Sequence, residues 1–369
     1  MSFFLKIFKL LPPELAHSFS LNSLKLLHKL KILKLIYRET YQDENIIFLG
    51  MNFKNRLGTA AGLDKNGDYI DALGELGFGF LEVGTVTPLA QSGNPKPRVF
   101  RNYKENSIIN RLGFNNKGVD YLVNNLKRRN YKGILGVNIG ANKNSIGDER
   151  INDYIVCLEK VNKYADYITI NISSPNTPNL RKLHSDKNFK NLIISIKKEI
   201  NKFNNCPPIL IKISPDLSDT ELKKIIKETA KHQLNGLIIS NTTVKRNVKS
   251  KYKEETGGLS GEPLFEESTK VLIMARKILN DFGSRISIIA TGGVYDGKSA
   301  YIKILCGADL IQLYTGLVYK GPFVVKNILD QLDRYRKRDN IKNWEDVRGL
   351  AKSINEANKI VENGLNKKT

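Results

Sequence analysis

The chain is poor in the residues that build disulfide scaffolds and metal sites. Its three cysteines, Cys157, Cys206 and Cys306, lie far apart in 369 residues and cannot all pair. That excludes a small disulfide scaffold and fits a reducing compartment. The four histidines, His17, His28, His184 and His232, form no metal-ligand spacing with each other or with the cysteines, so no metal is expected. No run of about 18 uncharged apolar residues occurs, which argues against a membrane-spanning helix. Acids are scarce as well. The 37 Asp+Glu stand against 59 Lys+Arg and leave a formal charge of +22.

What is present is globular: 41% hydrophobic and 26% charged residues, in a length that suits one large domain or two ordinary ones. Lysine is spread along the whole chain instead of being gathered, as arginine with interleaved aromatics, into one stripe. The charge therefore reads as a solvated surface, and no nucleic-acid partner is expected. Such a surface still attracts anionic substrates or an anionic membrane face.

Residues 1–38 differ from the rest, with seven Lys/Arg against one acid. MSFFLKIFKL reads as a short amphipathic helix. Pro12 and Pro13 stop it and open a second helix carrying Leu15, Phe19, Leu24, Leu27 and Leu30. Lys6 and Lys9 interrupt the apolar run, which fits a signal peptide poorly. Two readings stand: a helical pair packed on the core, or one whose apolar side dips into a membrane surface.

From residue 45 a rhythm sets in. Residues 46–55 look like a small hairpin. Eight apolar, β-branched runs follow: 57–62, 80–86, 134–139, 167–172, 209–213, 236–240, 286–290 and 310–313. Helical periodicity lies between them, as in 219–234 and 266–279. Apolar strands alternating with helices imply a parallel sheet buried on both faces, and eight units point to a (β/α)8 TIM barrel. An open doubly wound sheet is the alternative. Polar or glycine residues end nearly every run, which suits a barrel that gathers its site from all eight strand tips. Two connections, after Val86 and after Asn241, are long enough to be functional.

Gly292–Ser299 matches the phosphate-cradling pattern G-x-x-x-x-G-K-[ST]. It raises a P-loop nucleotidase as a second hypothesis. Tyr295 and Asp296 put bulk and negative charge where backbone NH groups would wrap phosphate. The loops after strands seven and eight of a barrel explain the glycines more simply, because such loops commonly bind a phosphate.

Several stretches, in order, resemble the class 2, quinone-linked dihydroorotate dehydrogenases: AAGLDKNG (60–67), EVGTVTP (82–88), GNPKPRVFR (93–101), INRLGFNN (109–116), NISSPNTP (171–178), SNTT (240–243) and TGGLSGEPL (256–264). The likeness covers about residues 10–335. It implies an FMN-containing barrel over 45–336, an N-terminal helical quinone entrance over 1–44, and a C-terminal tail over 337–369. It implies dihydroorotate oxidised to orotate in pyrimidine synthesis, electrons passed to a ubiquinone-type respiratory quinone, and peripheral membrane association on the cytoplasmic face of a bacterial inner membrane. Another FMN-dependent TIM-barrel oxidoreductase is the alternative within the same chemistry.

Position by position, the resemblance makes Ser174 the catalytic base. It gives substrate contacts to Lys65, Asn110, Arg111, Leu112, Gly113, Phe114, Asn171, Asn176, Asn241 and Thr242. Flavin contacts fall to Ala61, Gly62, Leu63, Asp64, Lys65, Thr85, Asn138, Asn171, Lys212 and Ser240, and the phosphate end to Gly261, Gly293, Tyr314 and Thr315. Thr177 and Phe114 match a proton exit route, and His17 and Arg101 a quinone passage. The residue types suit the chemistry. Neutral amides offer both donor and acceptor to a planar ring with NH and C=O groups. A fixed cation at Lys212 stabilises a flavin that turns anionic on reduction. Serine at 174 separates this chain from soluble class 1 relatives, which carry cysteine there. Beyond residue 337, Trp344, Val347, Leu350, Ile354 and Val361 recur at helical spacing, so an added amphipathic helix is expected.

Overall fold

The computed structural model describes residues 10–37, 46–184, 186–246, 248, 252–284 and 286–365. The first expected helix falls on 1–9, outside the described residues except at its end. Helices α1 (Pro13–Lys29) and α2 (Ile32–Ile36) precede a hairpin of β1 (Ile46–Phe48) and β2 (Met51–Phe53). Next come β3 (Leu57–Thr59), α3 (Ile70–Gly74) and β4 (Phe80–Val86), then the short strands β5 (Val99–Asn102) and β6 (Ser107–Asn110), and α4 (Val119–Arg128). The units β7 (Ile134–Ile139) with α5 (Gly147–Val161), β8 (Tyr167–Asn171) with α6 (Asp186–Ile200), and β9 (Ile209–Ile213) with α7 (Asp219–Lys231) follow. After β10 (Gly236–Ile239) and β11 (Gly258–Gly261) come α8 (Phe265–Asp281), β12 (Ser287–Thr291), α9 (Gly297–Leu305), β13 (Leu310–Leu313) and α10 (Thr315–Lys320). Helices α11 (Val324–Arg338) and α12 (Ile354–Asn363) end the chain's described part.

Strands β3, β4, β7, β8, β9, β10, β12 and β13 pair in that order, all parallel, and β13 closes on β3. The (β/α)8 expectation is met. Four of the eight runs keep the expected bounds; the others differ by one to three residues at their ends, as element boundaries commonly do.

The barrel floor is apolar. Phe53 meets Phe48 and Phe80 edge-on, with centroids 5.5 and 5.3 Å apart, and Phe80 meets Tyr167 at 6.4 Å. Leu210, Ile238, Ile289 and Leu310 complete this plug, and the β1–β2 hairpin contributes to it from below. Glycine is required where rings enter: a Cβ on Gly58 would lie 2.5 Å from the Phe80 ring, and one on Gly136 would lie 2.1 Å from Tyr167. Outside the strands the helices bury one face each. In α7, Leu222, Ile225 and Ile226 are buried, and a Ser218–Glu221 capping box fixes its start.

Sequence patterning missed one feature. β5, β6 and β11 form a separate antiparallel sheet, with Val99 and Gly258 both opposite Asn110. The two long connections are thus one structure over the barrel mouth, sharing a small core of Ile109, Val248 and Leu259. β5 and β6 are neighbours in the chain, but β11 joins them from about 150 residues away, and strands of four residues leave little periodic signal.

The tail also corrects an expectation. It is not one amphipathic helix. A single 3-10 turn at Trp344–Asp346 precedes α12, whose N-cap Ser353 accepts from the Glu356 NH. Leu350, assigned to the apolar face, is 44% exposed. Trp344 instead packs edge-on against Tyr301 at 5.8 Å, and the Gly349 and Ala351 NH groups donate to Ile304 and Leu305 at the end of α9.

Candidate active site

The barrel interior changes character one layer above the floor. Glu82, 1% exposed, accepts from Asn138 Nδ2 (2.8 Å), Tyr167 OH (2.9 Å), Gln312 Nε2 (2.8 Å) and Thr169 Oγ1 (3.2 Å). Thr85 Oγ1 donates to Asn138 Oδ1 at 2.6 Å, and Asn171 Nδ2 donates to Thr85 Oγ1 at 3.0 Å. Lys212 projects into the same interior from β9 and is 5% exposed. Desolvation pulls its pKa down, and Glu82 opposes that shift. Among the described residues no hydrogen-bond or ion-pair partner meets its Nζ. A buried ammonium without a bonded anion fits a ligand that carries or acquires negative charge against it.

After β3 the chain turns sharply. Gly62 (φ +100°) donates its NH to the Gly84 carbonyl at 2.7 Å, and Gly84 NH returns to the Asp64 carbonyl at 3.0 Å. The Asp64 carboxylate does not reach into the mouth. It accepts from the Asp68 and Tyr69 NH groups (3.0 and 2.8 Å) and secures the approach to α3. Burial pushes its pKa up to about 6. Only its backbone, with Ala61, Gly62 and Leu63, is left to meet a ligand. Lys65 does face the mouth, donating to Asn115 Oδ1 at 3.0 Å. Desolvation and then Arg98 lower its pKa to about 8, with Glu14 opposing. His17 of α1 hydrogen-bonds the Leu63 backbone, and desolvation, then Lys65, lower its pKa to about 4. Helix α1 therefore touches the same turn. Arg101 donates to the Leu11 carbonyl beside it.

The segment after β8 carries the expected base. Ser174 is 5% exposed, and its Oγ accepts from the Asn176 NH at 3.2 Å. Among the described residues its own proton has no protein acceptor. Asn176 Nδ2 donates to Asn110 Oδ1 at 3.2 Å, so the mouth sheet and the Ser174 loop meet. Asn241 Nδ2 donates to Ser173 Oγ at 2.9 Å, and the Thr242 NH donates to Asn241 Oδ1 at 2.8 Å. Ser240 turns its hydroxyl to the Asn241 carbonyl. Thr177 Oγ1 is buried without a hydrogen-bond partner among the described residues.

Not every expected contact points inward. Arg111 spends its guanidinium on Glu255 (2.6 Å) and on the Phe100 ring (4.6 Å), holding the cover sheet together. Leu112 contributes its carbonyl to the Asn94 NH, and Gly113 (φ +70°) lies against the Asn94 side chain. Phe114 packs beside Gly140 and near Thr85, under that cover. Sequence reading missed Glu82, Gln312 and Asn94. Asn94 Nδ2 bridges the Arg111 and Asn176 carbonyls at 2.9 and 3.1 Å. Glu82 had a signal: a lone acid inside the otherwise apolar run FLEVGTV.

At the other rim Thr315 Oγ1 donates to Ser260 Oγ at 2.9 Å, next to Gly261 and below Tyr314. Gly293 has φ +75°, and a Cβ there would lie 2.3 Å from the Phe265 backbone, so the turn admits only glycine without a shift. The P-loop reading fails on geometry. Asp296 caps α9, accepting from the Ser299 NH at 2.7 Å, while Ser299 Oγ donates to the Asp296 carbonyl. A carboxylate already occupies the helix N-terminus that a phosphate would need. Lys298 points to Glu362 and is exposed.

A buried hydroxyl on a loop of neutral amides, Lys65 and Lys212 at the same end of the barrel and a glycine-built rim suit a ring with NH and C=O edges beside an anionic group. Comparison with known proteins supplies the family. The family described as "Dihydroorotate dehydrogenase" matches residues 45–335. The chain belongs to the dihydroorotate dehydrogenase family. It is 48% identical over 333 residues to "Dihydroorotate dehydrogenase (quinone)" of Buchnera aphidicola subsp. Schizaphis graminum, covering 89% of this chain and 98% of that protein. The protein of the same name from Acinetobacter baylyi is 45% identical over 328 residues, covering 87% and 96%. A ligand-free dihydroorotate dehydrogenase structure from Eimeria tenella superposes with TM-score 0.81 at 36% identity, covering 92% of this chain and 99% of that one. In this dihydroorotate dehydrogenase family member the candidate site residues stand at the C-terminal ends of the barrel strands. Among its described residues no helix is long and apolar enough to cross a membrane, and no cluster of three or more His, Cys, Asp or Glu could hold a metal.

Proposed function

We propose that the chain oxidises dihydroorotate to orotate with FMN as its flavin, and passes the electrons to a ubiquinone-type respiratory quinone at the cytoplasmic face of an inner membrane. The observation that carries this reading is Ser174: a buried hydroxyl that accepts the Asn176 NH, on a loop whose Asn176 donates to Asn110 and whose neighbouring Ser173 meets Asn171 and Asn241. An NH donated to Oγ stabilises the charge that grows there when its proton leaves, and the amides match the NH and C=O edges of the substrate ring. The ring-carbon proton passes to Ser174 Oγ. Thr177, whose hydroxyl is uncommitted, offers it an exit past Phe114.

Bound FMN supplies the acceptor for the hydride from the neighbouring ring carbon. Ala61, Gly62, Leu63, Lys65, Thr85, Asn138, Asn171 and Ser240 would line its ring, and Lys212 would stabilise the charge gained on reduction. Gly261, Gly293, Tyr314 and Thr315 would hold the phosphate. Lys65, with Asn241 and Thr242, would grip the substrate, while Arg111, Leu112 and Gly113 shape the cover.

The helical pair supports the quinone half. Leu10, Leu15, Phe19, Leu26, Leu30 and Leu35 are 57–87% exposed, and Lys25, Lys29, Lys31 and Lys34 accompany them. Apolar groups beside lysines suit an anionic lipid surface. His17 and Arg101 lie where this pair meets the barrel. The test is direct. Purified protein should be yellow, and dihydroorotate added without oxygen should bleach the flavin band. A colourless protein, or a band that dihydroorotate leaves unchanged, overturns the reading.

A further inference from the structure

Glu82 sits a full layer below the groups expected to touch substrate, yet the Asn138, Asn171 and Asn241 amides above it take their orientation from it. A carboxylate only accepts. Asn138, 2.8 Å away, must therefore turn its Nδ2 towards Glu82 and its Oδ1 upward. Thr85 Oγ1 has no other choice than to donate to that oxygen (2.6 Å), so its lone pair receives Asn171 Nδ2 (3.0 Å). Asn171 Oδ1 then faces up and accepts from Ser173 Oγ (3.1 Å) and Asn241 Nδ2 (3.4 Å). Ser173 Oγ, having donated, accepts from Asn241 Nδ2 at 2.9 Å. Every donor along this chain points towards the carboxylate and every carbonyl away from it. Glu82, Asn138, Thr85, Asn171 and Ser173 are all buried, so solvent cannot reset the direction.

We propose that Glu82 is a positioning residue for substrate recognition: as the acceptor-only terminus of a one-way hydrogen-bond chain through Asn138, Thr85 and Asn171, it fixes which edge of the Asn171 and Asn241 amides meets the substrate ring. The proposal rests on the reading of those two asparagines as substrate contacts. It adds that their polarity is set from beneath, by a group the substrate never touches. A misoriented amide presents donor to donor, which a neutral ring with fixed NH and C=O edges does not tolerate.

Gln312 makes a sharp test possible. Its Nε2 donates to Glu82 Oε2, while its Oε1 is buried with no partner. In Glu82→Gln the new amide can keep its oxygen towards Asn138 and donate its NH2 to a flipped Gln312. The charge is lost, but the direction of the chain is kept. Glu82→Met removes the acceptor altogether. The measurement is the orotate dissociation constant, read from the perturbation of the flavin absorbance in the holoenzyme, alongside KM for dihydroorotate and KM for quinone. Glu82→Gln should hold orotate within about threefold of wild type, whereas Glu82→Met should weaken it by about tenfold or more, the scale of misplaced polar contacts. KM for quinone should stay unchanged in both.

Wild-type affinity in a flavin-replete Glu82→Met protein overturns the proposal, as does an equal loss in the two variants, which would assign the effect to charge. Asn171 Nδ2 also donates directly to Asn138 Oδ1 at 3.2 Å, so Asn138 holds both bonds that orient it. If Glu82→Met does not accumulate as a flavoprotein, Asn138→Leu reads the next link: orotate should bind about tenfold or more weakly, and wild-type orotate affinity in a flavin-replete Asn138→Leu protein overturns the relay. Failure of the underlying reading looks different: orotate would then leave the wild-type flavin spectrum unperturbed.

Discussion

Helices α1 and α7 bind to the same barrel by opposite means. In α7 a capping box fixes the start, and Leu222, Ile225 and Ile226 are buried against the strands. Helix α1 starts on prolines without a side-chain cap and buries only Ala16 and Leu21. Its fastenings are polar: Glu14 to Arg98 at 2.8 Å, Lys25 to the Asp68 carbonyl at 2.9 Å, Asn22 to Tyr69 OH at 3.0 Å and His28 to Glu75 at 3.0 Å. Its Leu15, Phe19 and Leu26 face outward. A helix that only stabilised the barrel would place these residue types the other way round. The contrast divides the molecule into a barrel built for substrate chemistry and a helical pair built for something apolar outside it.

The strongest way to break that division is to cut one half-reaction. Ser174→Ala should slow anaerobic flavin reduction by dihydroorotate roughly a hundred- to ten-thousand-fold, the range of a lost general base. Reoxidation of the reduced flavin by quinone should be unchanged, because α1 and its contacts are untouched. Stopped-flow traces of the two half-reactions check this, and equal reduction rates for variant and wild type would remove Ser174 from the role.

The barrel half was the legible one. Eight apolar runs with polar tips are a periodic, local signal, and the strands stand where that signal puts them. What stayed hidden is non-local or spent on geometry. The β5–β6–β11 sheet joins segments about 150 residues apart. Arg111 and Asp64 have the right type at the right motif position, yet their charges go to Glu255 and to the Asp68 and Tyr69 NH groups. Side-chain chemistry was readable from the motif; the direction in which each side chain points was not. Trp344 shows the same limit. Helical spacing in 344–361 suggested one helix, but a bulky ring that packs on Tyr301 is satisfied by a single turn.

Stability should separate the two helices next. Ile226→Ala removes a fully buried side chain from α7 and should cost about 2–5 kcal/mol, read from denaturant midpoints. A cost under about 1 kcal/mol would mean that α7 is held no more tightly than α1.

Acid should then loosen α1 through His17. Its folded pKa of about 4 lies below the ordinary 6.5. The unfolded chain therefore binds the extra proton first, and stability is lost as pH falls from about 6.5 towards 4. From those two values the loss at pH 5 is about 2 kcal/mol. His184, also lowered to about 4, adds a loss of the same sign within the barrel body. His17→Gln should flatten its own share of the acid slope between pH 7 and 5 and leave that of His184. An unaltered slope would show that His17 takes up its proton equally in the folded and unfolded chains.

The smallest stability effect should come from the outward leucines. Leu26 is 57% exposed, so Leu26→Ser should change folding stability by no more than about 0.5 kcal/mol. The same substitution removes apolar surface from the face assigned to lipid. Sedimentation with vesicles of mixed neutral and anionic phospholipid should show weaker partition for Leu26→Ser with Leu15→Ser than for wild type, and turnover should fall with a long-chain quinone while holding with a short, soluble one. Both variants together leave every polar fastening of α1 in place, so a loss confined to vesicles and long-chain quinone cannot come from detachment of the helix. Wild-type partition and wild-type turnover in the double variant would return α1 to the same class as α7, a helix that only packs.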